Sequence, residues 1–276
     1  MTAIAARPAP RSAAAAMTPR PQQRGPWRSW LAQAAGVVVL LLAWEALVRL
    51  LAIPPSILPA PSVIARLLVE LRASILNAAI YTMSSALLGY VTALLVGVLL
   101  AVIFAHSSTL RRGIFPFFVA SQAIPVIAFS AVVILWFGNG LLSKIAIAFY
   151  LSFFPITVSA VKGLQSADPM LVALLRTFGA GPWQVLWKIR LRMMTPFVFV
   201  ALRVATSTAL VGAIVGEWFG DNNGIGTLIL QALHTEDTVR LWAGIAACAV
   251  MGTLFYCVVA AVERRLLWWP AAALDA

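Results

Sequence analysis

Apolar residues along this chain come in long unbroken runs, separated by short stretches that hold most of the arginines, prolines and glycines. A helix that crosses a bilayer needs about 20 mostly apolar residues. Six segments meet that length, near 31–52, 78–104, 114–137, 141–161, 196–216 and 240–262. None shows the alternating ten-residue pattern of a membrane barrel strand. The pattern predicts an all-α, polytopic membrane protein with about six transmembrane helices. Residues 1–30 read as a disordered basic tail, 31–265 as the membrane domain and 266–276 as a second tail.

Two connecting stretches carry a pattern of their own. After the first span, Ile53 to Pro61 is proline-rich and predicts extended chain. Val63–Leu76 then spaces its apolar residues as a helix, with Arg66, Glu70 and Arg72 on another face. That predicts a short helix lying in the interface. The second stretch, about 163–195, joins the fourth and fifth spans. Asp168-Pro169 is a helix start, the carboxylate capping and the proline taking the first turn. Met170–Phe178 is apolar at helical spacing, and Gly179-Ala180-Gly181-Pro182 stops it. A second amphipathic helix is predicted from Trp183 to Met193, ahead of Pro196.

Composition agrees with a lipid environment. Hydrophobic residues are 62% and charged residues 11% of the 276 positions, against about half and one quarter in soluble domains. The net charge of +11 would suit a nucleic-acid binder only if the cations formed one stripe. They sit instead at span edges, as in Arg111-Arg112 and Arg264-Arg265. With the N-terminus inside, inner segments hold fourteen of the twenty Lys and Arg and outer ones five, with Arg203 inside a span. That bias predicts both termini cytoplasmic. It puts Glu217, Asp221, Glu236 and Asp237 outside.

Candidate chemistry is sparse. Glu45 and Arg49 are four apart and read as an intrahelical pair, with Arg49 snorkelling to the outer interface. Arg203 reads as structurally paired, to a carbonyl or a lipid headgroup, ahead of substrate contact. Glu217 reads equally as a gate and as a solvated helix end. Ser121, Gln122, Thr206, Ser207 and Thr208 suit helix packing first and path lining second. Trp27, Trp30, Trp268 and Trp269 fit interface belts. His106 and His234 lack partners at metal-ligand spacing. Cys248 and Cys257, nine apart in one apolar run, read as small hydrophobes. Gly138–Lys144 lacks the glycine that a phosphate-binding loop places before its lysine.

The 163–195 stretch resembles the cytoplasmic coupling loop of ATP-driven (ABC) importer permeases, through Asp168-Pro169, Arg176, Gly179-Ala180, Trp183-Gln184 and Pro196. It departs from that pattern at two places. The family's acidic position falls on Ala173, followed by Leu174-Leu175, and the first of its two prolines falls on Arg192. Residues 121–169 closely resemble the nitrate, sulfonate, taurine and thiamine-precursor branch through Ile124-Pro125, Leu135-Trp136-Phe137-Gly138, Lys144 and Phe154-Pro155-Ile156. Leu202-Arg203, Val215-Gly216-Glu217-Trp218 and Gly224-Ile225-Gly226 extend the likeness over about 55–265.

The resemblance implies a type I importer permease in a bacterial inner membrane, and not an enzyme. It implies no cofactor on this chain, with ATP used by a separate ABC ATPase subunit. It further implies an external substrate-binding protein, a second permease copy forming a homodimer, the lipid bilayer as surroundings, and no nucleic acid. Asp168, Pro169, Ala173, Arg176, Gly179, Ala180 and Trp183 would couple to the ATPase. Ser121, Gln122, Ser207 and Glu217 would lie along the path of a small organic solute. The alternative is a secondary transporter driven by an ion gradient. That class tends to show internal repeats and midplane ionisable residues, and this chain has no clear repeat and few such residues beyond Glu45 and Arg203.

Overall fold

In lipid a backbone must satisfy its own hydrogen bonds, which long apolar runs do as helices. The computed structural model describes residues 26–219 and 221–267, with side chains from Ala34 onward except that of Ser108. Every regular element among them is helical. Residues 1–25 and 268–276 lie outside the described residues, as do the four tryptophan side chains assigned to interface belts.

The elements are α1 (Pro26–Leu50), α2 (Pro61–Glu70), α3 (Arg72–His106), α4 (Ser108–Ser121), α5 (Val126–Phe137) and α6 (Leu141–Gln165). After them come α7 (Pro169–Thr177), α8 (Pro182–Val185), a π-turn (Leu186–Arg190), α9 (Leu191–Glu217), α10 (Ile225–His234) and α11 (Thr238–Leu266). Among the described residues, α3, α6, the continuous helix Pro182–Glu217 and α11 are each long and apolar enough to cross a membrane. α4 and α5 meet that test only as a pair, bent by 102° between them, the geometry of a broken span or of a re-entrant loop. The first predicted span falls on α1, which starts at Pro26 and so takes in the last five residues of the tail read as disordered.

Three boundaries differ from expectation. The third span, predicted as one helix over 114–137, is broken at 122–125, because Pro125 has no N–H to give and keeps Ile124 out of the helical region. The interfacial helix predicted over Val63–Leu76 is α2, ending at Glu70, and α3 begins at Arg72. The helix predicted from Trp183 to Met193 does not stop before Pro196. It runs through the π-turn into α9, with Pro196 inside it.

The core is built on α6, which packs chiefly against α3 and α9. Without a hydrophobic force between helices in lipid, close packing of small residues holds them together. Ala148 of α6 shows this on two sides. A Cβ added at Gly89 of α3 would lie 2.5 Å from the Ala148 Cβ, and one at Gly212 of α9 would lie 2.6 Å from the Ala148 Cα. Ser152 adds polar contact, its Oγ 3.5 Å from both the Ala205 carbonyl and Thr208 Oγ1.

Glu45 and Arg203 both meet partners. Glu45 accepts from Arg49 Nε at 2.7 Å, the expected intrahelical pair. It also caps the start of α2, taking the Ser62 N–H at 3.0 Å and the Ser62 hydroxyl at 2.7 Å. Arg203 of α9 pairs with Glu263 of α11 at 2.5 Å, so its partner is a carboxylate on a neighbouring helix.

Candidate functional site

Two regions, at opposite ends of α6, carry the chemistry. At the arginine-rich end, α7 forms where the sequence places it. Asp168 Oδ1 accepts the Met170 N–H at 2.8 Å, and Pro169 occupies the first turn. The helix stops by a Schellman turn. The Gly179 N–H donates to the Arg176 carbonyl at 2.9 Å and the Ala180 N–H to the Leu175 carbonyl at 3.1 Å. Gly179 has φ of 79°, a left-handed conformation in which a Cβ is strained. The Gly181 N–H then donates to Gln184 Oε1 at 3.2 Å, fixing the start of α8. Trp183 and Trp187 meet edge to face at 6.1 Å.

No residue of α7 is buried. Met170 is 78% exposed, Phe178 80% and Trp183 62%, with Leu171 and Leu174 beside them. An apolar row of this size on a short, well-capped helix marks a candidate interaction surface. Ala173, Arg176 and Ala180 lie on the same helix–turn–helix. All seven predicted coupling residues therefore sit in one projecting element.

At the opposite end, four segments converge. Lys144 of α6 is only 1% exposed. Its ammonium donates to the Tyr81 hydroxyl of α3 at 3.0 Å and is paired with the Asp221 carboxylate. Glu217, closing α9, is 0% exposed. Its Oε2 accepts the Gly226 N–H at 2.7 Å, and Thr82 Oγ1 accepts the Ile225 N–H at 2.9 Å. Free N–H groups and the helix dipole favour a carboxylate there, so Glu217 is the cap of α10. The approach demands glycine. A Cβ at Gly226 would lie 2.7 Å from the Ile214 carbonyl, and one at Gly224, where φ is 119°, would strike the Glu217 carboxylate.

Burial pushes the Asp221 carboxyl up, but the Lys144 ammonium and the Asn222 N–H outweigh it and hold it below its ordinary 3.8. A lowered folded pKa gives stability that is present above the unfolded value and lost as pH falls through the folded one. The difference in thermal stability between the wild type and Asp221→Asn is expected to hold steady above about pH 5 and to shrink below about pH 4. A difference unchanged down to pH 2 would exclude the ion pair as its source.

The four predicted path residues are not gathered. Ser121 and Gln122 stand at the α4–α5 break, where the Ser121 carbonyl accepts the Tyr150 hydroxyl. Ser207 lies on an exposed stripe of α9 with Val200, Val204 and Val211. Glu217 is enclosed at the far end. Tyr81 and Thr82 were missed by sequence reasoning, since a hydroxyl in an apolar run carries no mark of its partner.

Residues 93–268 match the family of binding-protein-dependent transport system inner membrane components. The chain belongs to that family. It is the substrate-translocation subunit of an ABC importer, a multi-pass inner-membrane permease. Similar proteins include a formylaminopyrimidine transport permease of Halalkalibacterium halodurans, 31% identical over 84% of this chain and 93% of the relative. A riboflavin transport system permease of Chloroflexus aurantiacus is 33% identical over 91% and 94%. A taurine transport system permease of Escherichia coli is 25% identical over 84% and 87%. The projecting α7 turn lies inside the matched segment, and so does the Glu217 cap of this permease.

Proposed function

We propose that this permease is driven by a separate ATPase subunit that docks on α7, and is served by a binding protein at the opposite end. The observation that carries this is the capped, glycine-terminated α7 with its uncovered apolar face. A short helix held so firmly and buried nowhere is suited to transmit the movement of a docked partner. Differential binding of the partner's nucleotide states then shifts the permease between inward- and outward-open forms. The chain itself binds no nucleotide in this reading. The Lys and Arg bias supports a cytoplasmic α7 and cytoplasmic termini.

Two copies would enclose one path, with Ser207 on the exposed stripe of α9 and Ser121 and Gln122 at the α4–α5 break as its polar points. Glu217 would serve that path by holding its outer end in shape. The solute is a small organic molecule of the kinds named for the relatives, such as formylaminopyrimidine, riboflavin or taurine. The rival reading, an ion-gradient transporter, draws less support. Arg203 is committed to Glu263 and Lys144 to Asp221, which leaves the buried Glu217, with one carboxyl oxygen unpartnered, as the residue that an ion-coupled mechanism would have to use.

The test is uptake by proteoliposomes that hold this chain, alone or with its co-encoded ATPase and binding protein. Labelled taurine and formylaminopyrimidine are the probes. Uptake is expected only with all components and internal ATP. Accumulation by the chain alone on a proton or sodium gradient would overturn the proposal.

A further inference from the structure

On the arginine-rich end a groove of about 390 Å³ runs between α4 and α6. Its floor is apolar, formed by Phe115, Pro116, Val158 and Val161, and its mouth is cationic, formed by Arg111, Arg112 and Lys162. It adjoins a cavity of about 620 Å³ beside α7, with Arg111 and Gln165 in both walls and Arg176 and Arg190 on the far side. No acidic side chain lines either space. Among the described residues none of Arg111, Arg112 and Lys162 has an ion-pair partner. The buried Nε of Arg190 donates to nothing. This contrasts with Arg49, Lys144, Arg203 and Arg240, each of which meets a carboxylate.

We propose that this groove holds an anionic phospholipid. One acyl chain lies on the Phe115–Val161 floor, and the headgroup phosphate sits among Arg111, Arg112 and Lys162. Basic pockets between spanning helices take anionic headgroups in this way, and Arg and Lys can bind phosphate while their stems cover apolar surface. The floor separates this site from one for free phosphate, which has no use for an apolar trough. The site also bears on transport. Arg111 borders both spaces, and the second is walled by Pro169, Val172, Ala173 and Arg176 of α7. A bound headgroup would neutralise the arginines behind the coupling helix and steady it.

The test is native mass spectrometry of the full-length permease released from detergent, titrated with phosphatidylglycerol or with phosphatidylcholine. Wild type is expected to favour phosphatidylglycerol. Removing a surface cation lowers anionic-lipid affinity about fivefold. The triple variant R111A/R112A/K162A should therefore lose the preference by about a hundredfold, while R66A/R72A should keep it. Val158→Trp leaves every cation in place and fills the floor. It is expected to weaken binding of phosphatidylglycerol while leaving the thermal midpoint within a few degrees of wild type. Equal binding of both lipids by wild type, or a preference that survives the triple variant, would overturn the site. So would displacement of phosphatidylglycerol by millimolar inorganic phosphate together with indifference to Val158→Trp, since that pattern belongs to a free-anion site.

Discussion

Lys144→Met is expected to destabilise the permease by about 3–5 kcal/mol, the cost of removing one partner from a buried ion pair. The size follows from what is left behind. Asp221 would stay packed against the end of α6 without its cation, and the Tyr81 hydroxyl would lose its donor. Lys144 also fills space, because Gly216 packs on its stem, with a Cβ there falling 3.1 Å from Lys144 Cγ. Methionine keeps much of that volume, so the loss reports charge more than cavity. Replacing both charges should cost less than replacing one, since a buried pair exchanged for apolar groups is often neutral. Thermal unfolding in detergent of Lys144→Met, Asp221→Leu and the double variant would measure the coupling. Additive losses would mean that the two residues do not act as a pair.

The same cluster shows where sequence reading stops. Span positions were legible because membrane burial imposes a length and a composition on each segment, and α3, α6, α9 and α11 fall where the apolar runs do. The α7 start and stop were legible because capping is local: Asp168-Pro169 and Gly179 act within a few residues of themselves. The break inside the third span was not placed, since two polar residues, Ser121 and Gln122, do not end an apolar run and hydropathy does not register a bend. Those two and Pro125 were its signs. Lys144 and Asp221 stand far apart in the chain, and no periodicity links them. The Gly224-Ile225-Gly226 signature was visible, but its cause was not. It marks the place where a helix start closes on the Glu217 carboxylate, a contact that exists only after α9 and α10 have packed. Glu45 followed the same rule, since its intrahelical partner was legible and its cap on α2 was not.

Phe178→Asp should weaken docking of the ATPase subunit at least about thirtyfold, the loss expected when an exposed aromatic anchor of about 2 kcal/mol is removed from an interface. Phe178 is the residue most suited to that role. It ends α7, it stands 80% exposed, and the turn that follows holds it in place. An aspartate there would also bring an unpaired charge into a desolvated contact. Gly179→Val attacks the same interface by a different route. It leaves the apolar row unchanged but puts a β-branched residue at φ of 79°, a strain of about 1–3 kcal/mol. The chain can relieve that strain by unwinding the end of α7 and turning Phe178 away. Both variants should insert into the membrane normally, since no residue of α7 is part of the buried core. Co-purification of a tagged ATPase with each variant gives the docking loss. Vesicle ATPase activity that no longer responds to the binding protein gives the coupling loss. If docking survives Phe178→Asp but coupling fails, α7 transmits movement without supplying the grip, and the grip must come from the Trp183 side of the turn. If both survive, the exposed face of α7 is not where the ATPase sits.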